Sequence, residues 1–164
     1  MKLKSTFPFL SKKKKVEIHN DAYYDQFVDF YFSNLINSLI LFSLSKEDLE
    51  KLIAIAFDPI FELESEIDYA FLPVCFETVF RNGKLSQSVK QDLVDFKLKT
   101  DAIPREVWDW EYLETHGSWI SIRTEANLLL DKIGITHRTY GDDYTTVYDV
   151  DGNILQQGKP THNQ

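Results

Sequence analysis

Four acidic side chains alternate along "FELESEID": Glu62, Glu64, Glu66 and Asp68. Paired carboxylates are the groups that hydrolyse glycosidic bonds or hold the metals of phosphoryl transfer. On a helix, Glu62 and Glu66 share one face, while Glu64 and Asp68 share another. That spacing predicts a solvated face with mild self-repulsion. The four histidines, His19, His116, His137 and His162, form no HxxxH or HExxH pair, and no CxxC occurs. A zinc set is therefore not expected. "DVDGN", residues 149–153, begins like a calcium loop, yet no Glu follows Glu125 to supply the bidentate ligand such a loop needs. A hairpin turn in which Asp151 and Gly152 tolerate positive φ suffices. Cys75, in "FLPVCF", reads as a small buried hydrophobe. No phosphate-cradling glycine loop occurs. The expectation is a protein without catalytic residues, metal or cofactor.

Two clusters mix acids with large rings. One holds Glu106, Asp109, Glu111 and Glu114 among Trp108, Trp110 and Tyr112; the other holds Asp142, Asp143 and Asp149 with Tyr144 and Tyr148. Tryptophan and tyrosine anchor interfaces at small entropy cost, and carboxylates select basic partners and speed their encounter. Trp119 fits a buried helical face. For Trp108 and Trp110, core packing and partner contact both remain open.

The chain has 164 residues and a net charge of −8. Its first 15 residues carry six lysines and no acid, leaving 12 basic against 26 acidic residues in the remainder. Such a body repels nucleic acid and attracts basic proteins. One cysteine permits no internal disulfide, and the length suffices for one core without a metal. No signal peptide is expected, since "FPFL" is too short for its apolar region. "YFSNLINSLILFSLS", residues 31–45, is uncharged but too short and too polar for a membrane span, so a buried central helix is expected.

The elements follow from periodicity. Tyr24, Val28, Tyr31, Leu35, Leu39 and Phe42 predict one helix from Asn20 or Asp21 to about Phe42. Ser45 caps a second, with Leu49, Leu52, Ile53 and Ala56 on its face, and Asp58 and Pro59 stop it. Ile60 to Phe80 reads helically with a break at Pro73, and "RNG" ends it. Another helix spans 88–100. Pro104 tips residues 104–114 toward a short helix, although Trp108, Trp110 and Tyr112 have the period of a strand. His116 and Gly117 end that element, and a helix follows from Ser118 to Gly134. "ITHRTY", "YTTVYD" and "NILQQG" then predict three strands, with His137 on a strand face. The expected fold is mainly α (α+β): a single-domain helical bundle with a small C-terminal three-stranded antiparallel β-meander. A flexible basic arm (1–18), one globular domain (19–158) and a loose tail (159–164) complete it.

The acidic body and the stretch "IPREVWDWEYLETHGSWISIRTEANLLLDKIGITHRTY", followed by the Asp-Gly hairpin, resemble the small immunity proteins that bacteria pair with secreted or contact-delivered toxins. The resemblance is to a class diverse in fold, so no residue is carried over by position. It implies a cytoplasmic, non-catalytic inhibitor that blocks one toxin, often a basic nuclease, with no membrane or nucleic acid partner. The expected docking residues are Trp108, Asp109, Trp110, Glu111, Tyr112, Glu114, Asp142, Asp143 and Tyr144. The alternatives are a homo-oligomeric (homodimeric) adaptor or phage-encoded accessory interaction module, and a hydrolase built on a carboxylate pair such as Glu62 and Glu66.

Overall fold

The computed structural model describes residues 21–53, 58–141, 147–160 and 162. These form seven α-helices, two 3₁₀ turns and one short strand pair.

The expected first helix is two. α1 (Asp21–Asp25) buries nothing, whereas α2 (Val28–Ser43) is buried from Tyr31 onward. Between them the Gln26 amide donates to the Tyr23 carbonyl (2.8 Å), and Phe27 leaves helical geometry. α1 touches the core through the half-buried Tyr24 and is tied to residues beyond the central helix: Arg81 and Asn82 both donate to Asp25, at 2.5 and 2.7 Å.

α2 is the central helix that its uncharged sequence implied. Ser38 and Ser43 return their hydroxyls to the Leu35 and Ile40 carbonyls (2.9 and 2.7 Å), so their burial leaves no hydroxyl donor unmet. Among the described residues no helix is long and apolar enough to cross a membrane.

Ser45 caps α3 (Lys46–Glu50), which ends too early to bring Ile53 inside; Ala56 lies outside the described residues. Asp58 and Pro59 start α4 (Pro59–Ala70) rather than stop its predecessor. The Asp58 carboxylate accepts the Ile60 N–H (3.1 Å), and Pro59 fills the first turn, where no N–H partner is needed. Pro73 likewise opens α5 (Pro73–Arg81), and Gly83 leaves it with φ +69°. α6 (Lys90–Asp101) follows a 3₁₀ turn (Gln87–Val89).

Residues 104–114 are neither α-helix nor strand. A 3₁₀ turn, Arg105–Val107, leads into further turns through i→i−3 bonds such as Tyr112 N–H to the Asp109 carbonyl (3.1 Å). The side chain of His116 then caps α7 (Gly117–Lys132) by accepting the Ser118 N–H (3.3 Å), so His116 begins a helix instead of ending an element. α2 packs against α4, α5 and α7, and α6 lies on α7. Phe42 sits at the centre, edge-on to Phe96 (5.7 Å) and stacked with Trp119 (6.1 Å).

Among the described residues the expected three-stranded meander is two strands, β1 (Val147–Tyr148) and β2 (Ile154–Gln156), antiparallel with an irregular register. The stretch 135–140, expected as the first strand, forms no strand among the described residues. Ile135 and Tyr140 bury themselves against the bundle, and Arg138 binds Asn127 and Asp131 of α7 at 2.7 and 2.6 Å. Helix contacts thus take the place of ladder bonds. The hairpin loop is longer than two residues: Asp149 accepts the N–H groups of Asp151 and Asn153, while Gly152 takes φ +82°. Within the stretch expected as a loose tail, His162 is 8% exposed and bonded to α2, because Ser33 and Asn37 offer buried polar partners there.

Candidate functional site

The tryptophan turn is built on Trp119. Its indole N–H donates to the Val107 carbonyl (2.7 Å), and its ring meets Trp108 edge-on at 4.9 Å. Trp108 also donates to the Ile103 carbonyl (3.4 Å) and approaches Phe42. Trp110 and Tyr112 are half-buried against the core, and Leu113 is inside it. Trp108, Trp110 and Tyr112 therefore each have one side on the bundle and part of their surface in water, while Trp119 is buried.

Among the acids of this turn, Glu114 is structural. It accepts the Lys46 N–H and an Arg123 N–H, both at 2.7 Å, and the Lys46 bond is the main reason its carboxyl sits below the usual range. Arg123, which sequence reasoning passed over, spends its remaining donors on the Leu44 and Leu113 carbonyls (2.9 and 2.7 Å). It thereby joins α7, the end of α2 and the turn. The only advance signal was a basic residue inside an otherwise acidic stretch.

Glu106, Asp109 and Glu111 are exposed and face no cation at ion-pair distance among the described residues. Asp109 only accepts the Glu111 N–H (3.3 Å). Glu111 pushes the Tyr112 phenol up, first through their hydrogen bond. Beside the turn lies a cavity of about 250 Å³, lined by Glu64, Asp68, Asp101, Ile103, Arg105 and Trp108 among others. It falls below the ~300–1,000 Å³ of small-molecule sites. Arg105 grips Glu64 through two nitrogens at its rim (2.8 and 2.5 Å).

Asp142, Asp143 and Tyr144 lie outside the described residues. Asp149 organises its own hairpin, and its carboxyl is held low, chiefly by the Asn153 side chain.

A second polar centre was missed. Glu66, expected on a solvated face, is 7% exposed and accepts the Tyr140 hydroxyl through Oε1. Its Oε2 has no partner among the described residues. Burial pushes this carboxyl up to about 8, against the pull of the Tyr140 bond, and Glu62 adds to the rise. The fully buried Asn37 accepts the Gly141 N–H (3.1 Å) through Oδ1 and meets His162 Nε2 at 2.9 Å. Because Gly141 is a donor, the amide oxygen must face this side, which requires a proton on His162 Nε2. Burial, followed by the charge of His137, lowers His162 to about 4; the two rings stack at 5.2 Å. A regular i, i+4 acidic pattern could not reveal that Glu66 alone turns inward toward Tyr140.

Comparison with protein-family models, with curated proteins and with solved structures found no match.

Proposed function

We propose that this chain is a non-catalytic, cytoplasmic protein-binding inhibitor, and that its turn at residues 105–114 docks a basic partner. Like the immunity proteins it resembles, it would block a cognate toxin, with a basic nuclease fitting the charge. The observation that carries this reading is the placement of Glu106, Asp109 and Glu111. They stand uncompensated on a turn that also exposes parts of Trp108, Trp110 and Tyr112. Many carboxylates elsewhere on the described body pair with cations, as in Asp68–Lys97, Asp92–Lys132, Glu125–Lys99 and Asp131–Arg138, whereas these three stand together without one. Uncompensated charge beside rings fixed by the core makes a preorganised face, which lowers the ordering cost of association. Carboxylate hydrolysis gains no support, since Glu66 is committed to Tyr140 and is not among the residues lining the cavity.

The test is paired capture from the expressing cells with wild type and with the triple variant E106Q/D109N/E111Q. A basic protein retained by the wild type and lost from the variant supports the reading. Equal retention by both, or retention of acidic proteins alone, refutes it.

A second reading, a homodimer, is favoured by the exposed Val150, Ile154 and Leu155 on the hairpin. Clustered apolar side chains in water mark contact sites. Sedimentation of I154S/L155S against wild type decides it: a dimer lost on substitution supports the second reading, and a monomeric wild type removes it.

A further inference from the structure

The Glu66 centre lies where the chain leaves α7, and its bonds divide that exit into a fixed part and a detachable one. Gly134 ends α7 with φ +84°, and Ile135 N–H returns to the Leu130 carbonyl (2.9 Å). Arg138 is then pinned to α7 through Asn127 and Asp131. Beyond Arg138, residues 139–141 have no helix or strand ladder of their own. Thr139 is exposed. Tyr140 is held by its ring in the core and its hydroxyl on Glu66, and Gly141 by its N–H on Asn37. Lacking a helix or ladder of its own, this segment opens at lower free energy than the helices beneath it.

We propose that residues 139–141 are a releasable strap hinged at Arg138, docked on α2 and α4 while Glu66 carries a proton and released when Glu66 ionises. With the proton on Oε2, Oε1 accepts from Tyr140 and the centre is neutral. Ionised, the carboxylate is a buried charge with a single donor and an oxygen lacking any described partner. Such a charge is tolerated only if water reaches it, and lifting Tyr140, which is bonded to Oε1, uncovers the carboxylate.

The groups around Glu66 set the direction of the response. On α4 itself Glu62 disfavours ionisation; the buried polar residues of α2, Ser33, Asn34, Asn37 and Ser38, are uncharged, and its acid Asp29 pairs with Lys84 (2.7 Å); the strap presents Tyr140. α5, also packed on α4, carries Cys75 beside Tyr69 and Glu77 paired with Lys90. His162, with His137 stacked on it, touches the centre through Asn37. No described cation stands by to hold an ionised Glu66 in place, and its upward shift to about 8 agrees with that geometry. Gly141 directly precedes Asp142 and Asp143 in the chain.

The test is amide exchange at Tyr140 and Gly141, corrected for the intrinsic rate and followed across pH. In wild type the opening constant should rise about tenfold per pH unit from the ordinary carboxylate range to about 8, then level off. Over the same range α2 and α7 amides should stay protected. Glu66→Gln, neutral at every pH, should flatten the dependence, and Tyr140→Phe should raise opening throughout. A flat wild-type profile, an unchanged slope in Glu66→Gln, or simultaneous loss of α2 protection overturns the proposal. Should Glu66→Gln fail to fold, the infrared band of a protonated carboxyl in wild type serves. It must persist at neutral pH and fade as Gly141 opens; its absence at neutral pH also overturns the strap.

Discussion

Replacing Arg123 with lysine should loosen the tryptophan turn while keeping the charge. Three nitrogens of the guanidinium reach three separate acceptors: the Leu44 carbonyl (2.9 Å), the Leu113 carbonyl (2.7 Å) and the Glu114 carboxylate (2.7 Å). A lysine ammonium is one point on a flexible stem and cannot span all three. The residue bearing one of these carbonyls, Leu113, is buried, and leaving a buried acceptor unmet costs about 1–3 kcal/mol. The Glu114 pair is nearly half exposed on the acid's side, so water screens it and its loss adds less than about 1 kcal/mol. Keeping one carbonyl bond while losing the other and the Glu114 pair predicts a destabilisation of about 1–4 kcal/mol for Arg123→Lys. Urea unfolding followed by tryptophan fluorescence measures this, because Trp108 and Trp119 report on the same turn. The companion Glu114→Gln should cost less, since the Lys46 N–H still has an acceptor. The Glu114 carboxyl is held low, so its contribution exists above the ordinary glutamate range and fades as pH falls through its lowered value. Stability of Arg123→Lys within about 0.5 kcal/mol of wild type would refute the claim that this guanidinium binds the turn to α2.

Two further outcomes follow from buried groups. Glu66 has its carboxyl raised from 4.5 to about 8, so the stability it supports is complete below its unfolded value and is lost as pH rises through about 8. The stability difference between Glu66→Gln and wild type should therefore grow with pH in favour of the variant, by up to about 5 kcal/mol, and by less where the strap opens. Urea titrations across that range check it, and a pH-independent difference speaks against a buried neutral acid. Trp119→Phe removes the donor to Val107 and part of the contact with Trp108 and Phe42. It should cost about 1–3 kcal/mol in the same assay and shift the fluorescence of Trp108. An unchanged midpoint would show that the turn stands without this anchor.

The helical core was legible because its signals are local and redundant. The run from Tyr31 to Phe42 is apolar on nearly every side, and Pro73, Gly83 and Gly134 end or divide elements by backbone sterics alone. The same locality misled at Asp58 and Pro59, since an Asp-Pro pair stops one helix and starts the next with equal chemistry. At 135–140, β-branched residues suggested a strand, but the decisive partners, Asn127 and Asp131, lie on another element. The inward turn of Glu66 depends on Tyr140, far along the chain, and periodicity cannot convey such a pairing. Within the tryptophan turn, the sequence showed acids and rings together but not their division of labour. Glu114 is bound to Arg123 and Lys46, while Glu106, Asp109 and Glu111 are left to the solvent.

The most direct measurement is the association rate of the captured partner with wild type and with E106Q/D109N/E111Q as ionic strength rises. Electrostatic steering by the turn predicts a wild-type rate that falls steeply with salt and a variant that is slower at low salt and nearly flat. Identical salt dependence in the two proteins, with equal rates, would contradict a docking face made by these three carboxylates.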